Sequence, residues 1–126
     1  MDEKNKKTIL IVEDEPIFAN YLVKLLQEDY TLFVARDGHS AINMSMNEEP
    51  KLILMNVKMP DMTGFEVISA LRWIEETKKI PVIFITSLDS SEERDKGFEL
   101  GAVDYIFKDA AEDIIKKSVE EHLGAC

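Results

Sequence analysis

Four side chains of this 126-residue chain have types and positions suited to phosphoryl chemistry. Glu13 and Asp14 are adjacent carboxylates that directly follow a short apolar run. Two such acids repel each other in a partly dry site, and a divalent cation relieves the repulsion. All-oxygen donors suit Mg²⁺, which keeps several waters and takes one or two carboxylates. Thr86 and Lys108 each close another apolar run. Opposite the acids, a hydroxyl and an ammonium would hold the oxygens of a phosphoryl group. Metal, hydroxyl and ammonium together stabilise the charge of phosphoryl transfer, in which positioning and electrostatics do most of the work. Each residue alone has an ordinary reading as well. Glu13-Asp14-Glu15 before Pro16 suits a solvated helix start favoured by the helix dipole. Thr86 suits a strand end, and Lys108 suits a surface. Their shared placement at the ends of apolar runs is what favours a site.

That placement requires a particular set of elements. Residues 8–12, 31–35, 52–57, 80–86 and 104–107 are short runs rich in Ile, Val, Leu and Phe with little polar alternation. Such runs predict strands covered on both faces, as in a parallel sheet. Helix-period stripes lie between them: Ile17, Tyr21, Leu22, Leu25 and Leu26 after Pro16, then Phe65, Ile68, Leu71 and Ile74. Ala41, Ile42 and Met46 form a weaker stripe over 37–46, and Ile114, Ile115, Val119 and Leu123 line the last helix. A highly charged helix over 92–100, with little apolar surface, is expected among the less stable elements. Thr63 with Glu66, and Ser90 with Glu93, have capping-box spacing. The order is β-α five times, an α/β chain with one doubly wound five-stranded parallel sheet and right-handed crossovers. Ligands of such sheets bind beyond the carboxyl ends of the strands, where these polar residues fall.

Composition narrows the function classes. Hydrophobic residues are 45% and charged residues 32%, which suits a single globular domain over 1–126. The net charge of −10 opposes phosphate backbones and anionic lipid, so neither direct nucleic-acid nor membrane binding is expected. The longest stretches without Asp, Glu, Lys or Arg, 38–47 and 80–88, are short of the ~20 apolar residues of a membrane helix. A single cysteine, Cys126, permits no internal disulfide, consistent with a cytoplasmic setting. It is read as a terminal thiol without a catalytic role. Trp73 lies off its helix stripe and suits either a partner anchor or a ring packed over the helix edge. His39 and His122 show no metal spacing and read as surface residues. The methionines read as core and loop filling.

Four segments carry a family resemblance: Ile11-Val-Glu-Asp-Glu-Pro16, Leu52-Ile-Leu-Met-Asn-Val-Lys-Met-Pro-Asp-Met-Thr-Gly64, Pro81-Val-Ile-Phe-Ile-Thr86 and Gly101-Ala-Val-Asp-Tyr-Ile-Phe-Lys108. They are similar to the receiver domain of bacterial response regulators, in order and over nearly the whole chain. The resemblance implies the flavodoxin-like (βα)5 fold with strand order 2-1-3-4-5 and a role in two-component phosphorelay signalling. It implies a signalling module rather than an enzyme. By position, Glu13, Asp14 and the main-chain carbonyl of Lys58 match the Mg²⁺ ligands. Thr86 and Lys108 match the groups that contact the phosphoryl, and Tyr105 matches the aromatic that swings inward when the hydroxyl moves. The implied partners are a sensor histidine kinase or phosphotransfer protein, and an output protein or domain on the face of the fourth helix, fifth strand and fifth helix. A monomer or weak dimer is expected.

Two positions depart from the family pattern. The phosphoacceptor position, otherwise Asp and part of the metal site, is Asn56. A neutral amide is a poor nucleophile and cannot form an acyl phosphate by the ordinary route. Loss of one of three clustered charges is also expected to weaken Mg²⁺ binding. Asp109 replaces the proline that follows the family's lysine. A cis bond to a non-proline residue costs about 2.5–4 kcal/mol, so Lys108-Asp109 is expected to be trans. Asp109 suits a cap for the last helix, or a partner that draws Lys108 away from the site. Three readings stand: a phosphorelay receiver carrying an introduced Asp-to-Asn change, a natural pseudo-receiver acting as a phosphate-independent interaction module, and a flavodoxin-like nucleotide or flavin enzyme. The sequence lacks G-x-G-x-x-G and G-x-x-x-x-G-K-[ST] phosphate loops, which disfavours the third.

Overall fold

The structure is a computed structural model, and it describes residues 6–123. Cys126 lies outside the described residues. The elements run β1 (Thr8–Val12), α1 (Pro16–Leu26), β2 (Thr31–Ala35), α2 (Gly38–Glu48), β3 (Leu52–Met55), α3 (Gly64–Leu71), β4 (Val82–Thr86), α4 (Ser91–Glu99), β5 (Asp104–Phe107) and α5 (Glu112–Leu123). The five strands form one parallel sheet in the order β2-β1-β3-β4-β5, as the resemblance implied.

The apolar strands are continuous in sequence because both faces of the sheet are covered. Leu10, Val12, Ile53, Met55, Val82 and Phe84 point to one side, against Phe65, Ile68 and Leu71 of α3. Ile9, Ile11, Leu52, Leu54, Ile83 and Ile85 point to the other, against Leu22 and Leu26 of α1 and Ile115 and Val119 of α5. Successive strand residues alternate faces, so a doubly covered strand must be apolar at every position.

The helix stripes needed correction at their edges. Ile17 is 87% exposed and Ile114 is 53% exposed, so neither belongs to the buried face of its helix. Met46 is also exposed, and the small Ser45 takes the buried place on α2. Ser45 is tolerated there because its hydroxyl donates to the Ala41 carbonyl at 2.7 Å. His122 is partly covered, with its ring nitrogen 2.9 Å from the Ser118 carbonyl, whereas the His39 side chain is exposed as expected.

The stripe through Ile74 overran α3, which stops at Leu71. The fully buried Thr77 explains the stop: its hydroxyl donates to the Leu71 carbonyl at 2.7 Å and turns the chain back. Trp73 falls in this turn, 90% exposed, and does not pack over a helix edge. Thr77→Val keeps the shape but removes the donor. It is expected to cost about 1 kcal/mol of stability in urea denaturation, the net worth of one such hydrogen bond.

Thr63 and Glu66 form the full capping box, whereas Ser90 caps its helix without the return bond from its own amide to Glu93. Thr63 accepts from the Glu66 amide at 3.1 Å, and the Glu66 carboxylate accepts from the Thr63 amide at 2.9 Å. Ser90 accepts from the Glu93 amide at 3.2 Å and donates to the Glu93 carboxylate. Asp109 does not cap α5, which starts at Glu112. Asp37 caps α2 instead, accepting from the Ser40 amide at 2.8 Å.

Candidate functional site

The carboxyl ends of β1, β3, β4 and β5 meet at one edge of the sheet, and the predicted residues collect there. Glu13 follows β1 and is buried at 1% exposure. One of its oxygens accepts from the Glu15 amide at 3.1 Å, and the other lies 3.0 Å from the Lys108 ammonium. Burial pushes the Glu13 carboxyl above its usual 4.5, and the Glu15 amide and Lys108 pull against that rise.

Asn56 lies one residue beyond β3 and is 6% exposed. Its amide nitrogen donates to the Lys58 carbonyl at 2.8 Å and lies 3.3 Å from Asp14 Oδ1 and 3.4 Å from Glu13 Oε2. Its oxygen accepts from the Val57 amide at 2.9 Å. The structure therefore brings Glu13, Asp14, Asn56 and the Lys58 carbonyl to a single point. Three of these groups present oxygens, which suit Mg²⁺. The fourth presents a hydrogen-bond donor, so the set as it stands does not fit the ion. Among the described residues no three His, Cys, Asp or Glu side chains are grouped to hold a metal.

Lys108 lies against the acids, with one partner that the sequence did not suggest. Its ammonium pairs with Glu13 and Glu15 and sits 4.8 Å from the centre of the Phe18 ring. Burial lowers its tendency to hold a proton, but the bonds to Glu15 and Glu13 outweigh that and raise it above the ordinary lysine value. Asp109 is not its partner, and the Lys108-Asp109 peptide is trans as expected. The sequence gives Phe18 no role at the site and Glu15 only that of a helix start. The three-acid run was the available signal: Glu15 does stand at the start of α1, as its N-cap residue before Pro16, and its carboxylate also pairs with Lys108. Glu15, Pro16, Ile17, Phe18, Tyr21 and Lys108 line an open groove of about 670 Å³ beside the site.

Thr86 is buried at 1% exposure, and its hydroxyl accepts from the Leu88 amide at 3.2 Å. That bond ties it to the loop before α4. Tyr105 lies inward at 7% exposure and donates to the Leu88 carbonyl at 2.9 Å. Both polar groups of the Leu88 backbone are thus held by the two predicted switch residues. Gly97 allows this approach, since a Cβ there would lie 3.1 Å from the Tyr105 ring.

The turn between β3 and α3 is anchored from outside. Asp61 accepts from the amides of Gly38 at 2.8 Å, His39 at 2.9 Å and Met62 at 2.9 Å, and pairs with the His39 ring. The Gly38 amide foremost, and then these other donors, hold its carboxyl well below the usual carboxylate range. A Cβ at Gly38 would lie 2.1 Å from Met62, so the glycine permits this close approach.

Residues 9–120 match the family model described as the response regulator receiver domain. The chain belongs to that family. The receiver domain is a module of two-component signal transduction, and this membership displaces the nucleotide or flavin enzyme reading. A Vibrio cholerae protein named "Probable cyclic di-GMP phosphodiesterase" is 37% identical over 98% of this chain and 28% of its own length. The chain spans less than half the length of the first curated relatives it matches. Vibrio cholerae chemotaxis protein CheY4 is 26% identical with a TM-score of 0.86, covering 92% of this chain and 98% of that one. The receiver domain of the Pseudomonas aeruginosa sensor histidine kinase PA1611 shares the fold at 22% identity and a TM-score of 0.87, covering 95% and 99%. That neighbour was solved with a magnesium ion coordinated in its active-site cleft. Among the described residues of the present receiver domain, no helix is long and apolar enough to cross a membrane.

Proposed function

We propose that this receiver domain acts in a two-component pathway through protein contact, without an acyl phosphate at position 56. The observation that carries the reading is the Asn56 side chain: neutral, buried and committed through its amide nitrogen to the Lys58 carbonyl. An amide is too weak a nucleophile to accept a phosphoryl group. Glu13, Asp14 and the Lys58 carbonyl occupy the family's Mg²⁺ positions. Thr86 and Lys108 occupy its phosphoryl-contact positions, and Tyr105 its switch position. Replacement of a carboxylate by Asn56 weakens Mg²⁺ binding by removing charge. The upstream partner is a histidine kinase or phosphotransfer protein. The output partner docks on the α4-β5-α5 face, where Phe98, Val103 and Phe107 are partly exposed. Partner binding then supplies the bias that phosphate supplies elsewhere in the family.

Intact mass after incubation with Mg²⁺ and a small phosphodonor tests this reading. The chain is expected to gain nothing, whereas Asn56→Asp is expected to gain one phosphoryl group. Labelling of the parent chain at position 56 would overturn the proposal. If neither form is labelled, the surrounding site has also lost competence, and the phosphate-independent reading is strengthened.

A further inference from the structure

The acid pocket after β1 carries its own counter-groups. Asn56 Nδ2 stands between the Lys58 carbonyl, Asp14 Oδ1 and Glu13 Oε2, at 2.8, 3.3 and 3.4 Å. Two amide hydrogens serve three acceptors, so the bond to Lys58 is the firm one and the carboxylates share what remains. The amide cannot turn over at no cost. A flip would lose the 2.9 Å bond from the Val57 amide and aim the amide oxygen at three other oxygens. Lys108 reaches the remaining oxygen of Glu13 at 3.0 Å. No buried side-chain nitrogen or oxygen among the described residues lacks a hydrogen-bond partner.

We propose that the Asn56 carboxamide is a built-in plug that closes the acid pocket to divalent cations. This deepens the reading of Glu13, Asp14 and Lys58 as the family's metal positions and rests on it. It differs from simple loss of charge. Were charge alone at issue, every neutral residue at position 56 would leave the pocket equally weak. A plug predicts that a shorter neutral residue opens it. In Asn56→Ala the net charge is unchanged, the donor nitrogen is gone, and the three oxygens face free space.

The test is Mg²⁺ titration of the full chain, Asn56→Ala, Asn56→Ser and Asn56→Asp, followed by calorimetry and by amide shifts in ¹H–¹⁵N spectra. The spectra also report whether each variant is folded, and the serine variant provides a second shortened side chain. The parent is expected to show no saturable binding at millimolar Mg²⁺. The alanine and serine variants are expected to bind at least about tenfold more tightly than the parent, the scale of one or two released hydrogen bonds. Asn56→Asp is expected to bind most tightly of all. If Asn56→Asp binds and the two shortened variants bind no better than the parent, the plug is overturned while the metal positions stand. If no variant binds, the reading of the metal positions fails and the plug falls with it.

Discussion

Lys108→Met is expected to destabilise the chain by about 3 kcal/mol at neutral pH, the lower end for removing one partner of a buried ion pair. Methionine keeps most of the apolar stem and removes the ammonium, together with its contact to the Phe18 ring. The Glu13 carboxylate, with a side chain only 2% exposed, then loses its charged partner. Glu15 tempers the effect, because its own side chain is 64% exposed and returns to water.

The loss should depend on pH with a definite sign. Glu13 has a folded pKa above its ordinary 4.5, raised first by burial. A carboxyl of this kind binds its proton more tightly in the folded chain. Its contribution to stability is therefore full below about 4.5 and is lost as pH rises through the folded value. Lys108 lowers that folded value, so its removal moves the folded pKa further up and widens the window. Urea denaturation across a pH series is expected to show a large deficit near neutrality that shrinks in acid, where Glu13 is protonated in both states. A deficit of constant size would assign the contribution of Lys108 to its stem and its contact with the Phe18 ring, and not to the Glu13 carboxylate.

Phe84→Ala is expected to cost about 3–5 kcal/mol, as for other fully buried phenylalanines cut back to a methyl. Phe84 is 0% exposed and joins several elements. Its ring meets Phe65 of α3 edge-on at 5.3 Å and Tyr105 of β5 at 6.1 Å. It also fills the space that a Cβ on Gly64 would enter at 2.8 Å, and one on Gly97 at 3.3 Å. The cavity left behind should loosen the seat of Tyr105 as well. The Tyr105 phenol is pushed up to about 12 by burial, with Glu93 and Asp89 adding to the rise. In the variant its titration, followed by NMR, is expected to move back toward 10.0. A Tyr105 phenol that stays put would show that the Leu88 carbonyl, rather than Phe84, holds the ring.

Much of this molecule was legible one segment at a time. The strands read as apolar runs because a doubly covered sheet admits no polar alternation. The Thr63–Glu66 and Ser90–Glu93 caps read from spacing because a cap is a contact within four residues of chain. Asn56 was legible as a departure because the motif around it is otherwise intact. Helix edges were less legible, since a period of 3.6 residues does not say how wide the covered stripe is. Ile17 and Ile114 fit the period and still face solvent. Thr77, which ends α3, gave no periodic signal at all.

The order of elements, the sheet and the set of residues gathered at its edge were thus determined by the sequence itself. The elements and the strand-end residues follow from local periodicity and from the rule that parallel strands point their carboxyl ends one way, while the strand order and the place of the Lys58 carbonyl are what the family resemblance implies. The aim of the polar side chains at the site was decided by the tertiary structure alone. Asn56 meets Glu13 across 43 positions of chain, and Lys108 meets Glu15 across 93. A lysine has several torsions to choose among, and no local pattern records which carboxylate lies within reach once the chain has folded.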